Sequence, residues 1–102
     1  MHLIELFLPL RDNAGTAFPK AVYDAVRTEL ADVFGGVTVF TRAPAAGLWE
    51  DEAGEIQRDD VLLFEVMVDN VDHAWWRNYR ATLEQRFDQD EVLVRATAVE
   101  RL

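Results

Sequence analysis

The chain contains no cysteine and no serine. Without cysteine there is no disulfide, no thiolate metal site and no Cys nucleophile. Without serine, Ser-His-Asp catalysis is impossible within one chain, and a P-loop is missing too. Lysine occurs once, as Lys20, and the remaining basic residues are all arginine. Acidic residues outnumber basic ones 19 to 10, for a net charge of −9. A nucleic-acid binder needs a basic footprint, and this chain has the opposite. Anionic membrane surfaces are disfavoured for the same reason. No apolar run approaches the ~18 residues of a membrane-spanning helix. The first residues carry Glu5 and no basic leader, so they read as a strand and not as a signal peptide; a cytoplasmic location is the expectation.

What is present fits one α+β domain over residues 1–102, with half of the residues hydrophobic. Residues 2–8 (HLIELFL) are apolar on both faces except at Glu5, which suits a central strand. Pro19 fits a helix start. Phe18, Val22, Ala25, Val26, Leu30, Val33 and Phe34 recur at helical spacing up to Gly35, a natural stop, so a helix is predicted over 19–34. Residues 37–41 and 61–68 read as strands on either side of a turn at 50–55, where Gly54 can take a positive φ. Pro44 cannot donate to a ladder, so pairing should break around 43–47 and leave 48–57 as a protruding arm. A simple hairpin register sets Trp49 opposite Ile56 and Phe40 opposite Glu65. Asp69, Asn70 and Asp72 are N-cap candidates for a helix over 71–88. That helix carries Trp76, Tyr79, Leu83 and Phe87 on one stripe, with Arg77, Arg80, Glu84 and Arg86 covering its wet side. Residues 91–100 form the last strand.

The order βαββαβ is the ferredoxin-like split arrangement. Two right-handed crossovers place both helices on one face of a four-stranded antiparallel sheet, in spatial order 4-1-3-2. The first and third strands are then central neighbours. Ile4, Leu6 and Leu8, with Leu62, Phe64, Val66 and Val68, should face the helices. The alternate residues form an open face, and each of the two strands places one glutamate there: Glu5 and Glu65. Phe40 and Arg42 join them from the second strand, and Leu93, Arg95, Thr97 and Val99 from the last. Met67, Leu3, Phe7 and Leu63 make the face too apolar to sit alone in water, which points to a homodimer stacked sheet on sheet.

Glu5 and Glu65 under such a cover must be paired, or one must take a proton; Arg95 and Arg42 are the partners within reach. Two roles fit this constellation. One is an ion-pair network at a dimer interface. The other is a semi-enclosed pocket with a glutamate as acid, base or ligand anchor, lined by Trp49, Arg95, Arg42, Phe40 and Met67. Trp49 sits in a Gly-flanked loop where no periodicity accounts for it. His73 lies near Asp69 and Asp72 but lacks a second nitrogen at ligand spacing, so no metal is expected. The acidic run around 50–60 lacks EF-hand spacing and reads as a solvated hairpin tip. Trp75, Trp76 and Tyr79 read as helix packing, with one tryptophan half exposed.

The run Phe34-Gly35-Gly36-Val37-Thr38, followed by Gly47-Leu48-Trp49 and Gly54, resembles small bacterial proteins of uncharacterised function that share an FGGVT…GLW…G pattern. That resemblance covers the middle half of the chain and implies no catalytic residues. The element order is also similar to that of dimeric α+β-barrel proteins, a group that includes small monooxygenases, isomerases and ligand-sensing domains. Three functions follow as expectations. The first is a homodimeric small-molecule-binding or accessory domain. The second is an enzyme without cofactor that uses Glu5 or Glu65 as general acid or base. The third is an interaction module built on the acidic arm.

Overall fold

A computed structural model describes the backbone of residues 1–50 and 56–102, and the side chains of 1–39 and 61–102. The order is β1 (His2–Pro9), α1 (Lys20–Phe34), β2 (Thr38–Glu50), β3 (Ile56–Val68), α2 (His73–Arg86) and β4 (Val94–Ala98). The sheet is antiparallel with order β2-β3-β1-β4, the ferredoxin-like arrangement expected. Among the described residues, no helix is long and apolar enough to cross a membrane.

The helix ends follow local chemistry. Pro19 is the N-cap of α1 and adds no side-chain bond; its fixed φ simply points the chain into the first turn. Gly35 closes the helix at φ 81°, with its N–H donating to the Ala31 carbonyl. Of the three cap candidates before α2, Asp72 is used: its side chain accepts from the Trp75 N–H at 3.1 Å.

The core lies between the sheet and the helices. Ile4, Leu6, Leu8, Phe64 and Val66 from the central strands are buried against Val26, Leu30, Leu83 and Phe87. Burying each such side chain stabilises the fold by ~1.5–3 kcal/mol. Trp76 is buried and stacks on Phe34, ring centroids 5.1 Å apart and nearly parallel at 7°. Trp75 is only partly buried and stacks on Tyr79 one turn later, at 4.9 Å. Packing therefore absorbs the aromatic cluster of α2.

The arm is a two-stranded ribbon: β2 and β3 pair out to Glu50 and Ile56, while β1 pairs with β3 only from Val61 onward. Two expectations are corrected. The hairpin register differs. Phe40 pairs with Leu63, the ladder shifts before Ala45, and Trp49 pairs with Gln57. The shift falls where Pro44 removes a donor, as anticipated, but the ladder recovers beyond it in a different register. Lastly, Arg86 is not simply on the wet side of α2. It reaches α1 and donates to both Glu29 carboxylate oxygens, at 2.6 and 2.8 Å, while the Tyr79 hydroxyl donates to the same carboxylate at 2.9 Å.

Candidate functional site on the open sheet face

Register decides what meets on the open face. Glu5 stands opposite Glu65 on one side and opposite Arg95 on the other. On the far side of Glu65 stands Thr38. One row thus crosses all four strands as Thr38, Glu65, Glu5 and Arg95. Two carboxylates directly opposite each other repel, so their neighbours determine how the row is accommodated.

The neighbours differ. Arg95 Nε donates to Glu5 Oε1 at 2.9 Å, and the Glu5 side chain is only 14% exposed. The same guanidinium lies 4.9 Å from the centre of the Phe7 ring, which holds it over the sheet. Glu65 faces an uncharged threonine across the ladder. Its carboxyl is raised above the ordinary carboxylate range, first by burial, then by the charge of Glu5 and a hydrogen bond between the two carboxyls. The arginine is thus bonded to Glu5, and the raised carboxyl of the close pair is Glu65.

The surroundings are apolar and open. Met67 is 50% exposed and Leu93 49%, although both are large hydrophobic residues. Leu3 lies beside Met67 in the ladder and Phe7 beside Leu63; Leu3, Phe7 and Leu63 are partly buried. The described site therefore unites Glu5, Glu65, Arg95 and Met67, as expected from alternation. The side chains of Phe40, Arg42 and Trp49 lie outside the described residues. Thr38 was missed because the simple register put Phe40 in its place. Among the described residues, no three His, Asp or Glu side chains converge as metal ligands would.

Such a row can do two things chemically. A protonated Glu65 can donate a hydrogen bond or a proton, and an ionised one can accept from a basic nitrogen. Arg95 is already committed to Glu5, so it positions that carboxylate and leaves Glu65 free to respond.

No family model matches the sequence, and no curated protein matches it. Solved structures do match in fold. The divalent cation tolerance protein Cut A1 from Thermus thermophilus aligns with TM-score 0.62 at 13% identity, over 99% of this chain and 86% of that one. A phage SAM lyase in complex with S-methyl-5'-thioadenosine aligns with TM-score 0.61 at 10% identity, over 94% of this chain and 79% of that one. The apo form of a phage SAM lyase aligns with TM-score 0.56 at 13% identity, over 94% of this chain and 78% of that one. These likenesses place the chain in the ferredoxin-like α+β fold and extend no further than fold.

Proposed function

We propose that the chain is a homodimeric small-molecule-binding or accessory domain with its site on the open face of the sheet. The observation that carries this reading is the asymmetric carboxylate pair on neighbouring central strands, with Glu5 held by Arg95 and Glu65 facing Thr38 with a raised carboxyl. The exposed Met67 and Leu93 around it supply apolar area for a ligand or for a second copy. A second copy stacked on this face would exclude water from Glu65 and raise it further. A phage SAM lyase of the same fold is seen in complex with S-methyl-5'-thioadenosine, which puts a small organic ligand within the reach of the fold.

The ligand matching the site has an apolar body and a polar nitrogen or hydroxyl that meets Glu65. A thermal-shift screen of small metabolites tests this, run on the wild type and on Glu65→Gln. Ligands that raise the melting temperature of the wild type should lose that effect in the variant. The absence of any hit that depends on Glu65 counts against the site. Light scattering after gel filtration tests the dimer, and a monomer at micromolar concentration defeats it.

A second reading is favoured by the same raised carboxyl: an enzyme without cofactor in which Glu65 is general acid or base, and Glu5 its positioning partner. Turnover that vanishes in Glu65→Gln, with ligand affinity retained, separates catalysis from binding alone.

A further inference from the structure

The helix side of β4 is underfilled. Val94, Ala96 and Ala98 pair with Leu6, Ile4 and His2, so they share the face that carries the core. Two of the three are alanines, and both are exposed although they face the helix layer. The first turns of α2 border the same space as Val94 and Ala96. Side chains this small cannot reach α2, and a cavity of about 290 Å³ remains between the helix and the strand. That volume falls just short of the about 300 Å³ at which drug-sized sites begin, which suits a smaller ligand.

The cavity has two distinct surfaces. Ile4, Val94 and Trp76 make an apolar floor, and His73, Arg77 and Arg80 line it from α2. Positions 73, 77 and 80 are one and two turns apart, so helical geometry stacks them on a single face. No carboxylate belongs to the lining among the described residues. Arg77 joins no ion pair among the described residues, and Arg80 has only a long contact, 4.0 Å from its Nε to Glu84 Oε2. Arg95 also borders the cavity, with its guanidinium turned to Glu5. A chain with a net charge of −9 thus keeps a concave, positively charged spot over an apolar floor. Low-dielectric walls focus such a field and draw in ligands of opposite charge.

We infer that this cavity binds a small organic carboxylate. Its carboxylate is held by the guanidiniums of Arg77 and Arg80, and its apolar body lies on Trp76, Ile4 and Val94. Arginine forks match carboxylate geometry and hold it more firmly than a point charge would. The floor selects an organic acid over a bare oxyanion, because inorganic phosphate would leave Trp76 and Val94 uncovered. The site is separate from the open face, since the two lie on opposite sides of the sheet.

The test uses benzoate as probe, with benzyl alcohol as neutral counterpart and inorganic phosphate as bare anion. Binding is followed by amide shifts in two-dimensional NMR of the full chain. Benzoate should give saturable shifts centred on residues 71–80 and 94–96, weakened by added salt. Benzyl alcohol and phosphate should each bind roughly tenfold more weakly or worse. Arg77→Gln combined with Arg80→Gln should abolish the benzoate shifts. Both arginines are exposed, so the fold should survive. Ala96→Leu fills the cavity without touching charge and should block benzoate as well. Equal binding of benzoate and benzyl alcohol overturns the inference, as do phosphate binding as tight as benzoate, unchanged binding in either cavity variant, or no saturable shift with benzoate at millimolar concentration.

Discussion

Glu5 and Glu65 face each other across the two central strands, yet a guanidinium reaches only Glu5 among the described residues. The asymmetry comes from topology. β1 has β4 as its outer neighbour and meets Arg95, whereas β3 has β2 and meets Thr38. Two like residues in like positions thereby differ: Glu5 is ion-paired, and Glu65 carries a raised carboxyl.

Replacing Glu65 with Gln should raise the melting temperature at neutral pH, because it removes a charge that burial and Glu5 both oppose. The sign follows from linkage. A carboxyl whose folded pKa is raised contributes stability that is fully present below its unfolded pKa and lost as pH rises through the folded value. The gain in Glu65→Gln should therefore shrink and vanish as pH falls below the ordinary glutamate range. Calorimetry across the acid range reads this out, and a loss of stability at neutral pH would contradict it.

Replacing Glu5 with Gln should draw the Glu65 carboxyl part of the way back toward its ordinary value. Burial is the largest cause of the shift and remains, while the charge and hydrogen bond of Glu5 disappear. Arg95 loses its partner but is 56% exposed, so water can solvate it and little stability should be lost. Carbon-detected NMR titration of the Glu65 carboxyl measures the change directly.

Glu29 behaves in the opposite sense. The Arg86 hydrogen bonds, above all, hold its carboxyl below the usual range. Its contribution is present above the unfolded pKa and is lost as pH falls through the folded one. The pair joins α1 to α2, but Glu29 is 40% exposed and solvent screens the attraction. A double-mutant cycle of Glu29→Gln and Arg86→Gln should give a coupling of about 1 kcal/mol or less.

Phe64 and Met67 project from β3 to opposite faces, and their variants should fail differently. Phe64 is fully buried, and Phe64→Ala should destabilise the fold by ~3–5 kcal/mol. Met67 is 50% exposed, and Met67→Glu should leave the fold intact while separating the proposed dimer into monomers. Chemical denaturation and light scattering distinguish the two outcomes. A Met67→Glu variant that unfolds, or that remains dimeric, would count against sheet-on-sheet association.

Gly35 and Gly36 are adjacent glycines with different duties. Gly35 takes φ 81°, where an L side chain is strained, so Gly35→Ala should destabilise the fold by ~1–2 kcal/mol. Gly36 has no positive φ, and an added Cβ there meets nothing within 4 Å. Gly36→Ala should be within ~0.5 kcal/mol of neutral, as surface changes usually are. Melting curves of both variants check the contrast.

Whatever depends on near neighbours along the chain was legible in the residues alone. Alternation in residues 2–8 and 61–68 assigned each side chain to a face, because the strand period is two. Helical spacing up to Gly35 and an aspartate before the Ala-Trp-Trp run set where the helices stop and start. From those elements the ferredoxin-like order followed, and with it the meeting of Glu5, Glu65 and Arg95 on one face. Whatever depends on which distant residue stands opposite came from the fold. The shift beyond Phe40 brought Thr38 to Glu65 and left that carboxyl without an arginine across the ladder. Glu29 and Arg86, 57 residues apart, met only because both helices lie on one side of the sheet. The cavity under His73, Arg77 and Arg80 exists because Ala96 came to lie beneath α2. Alternation and periodicity give a side chain its direction, but register and helix placement choose its partner, and those are set by contacts between segments far apart in the chain.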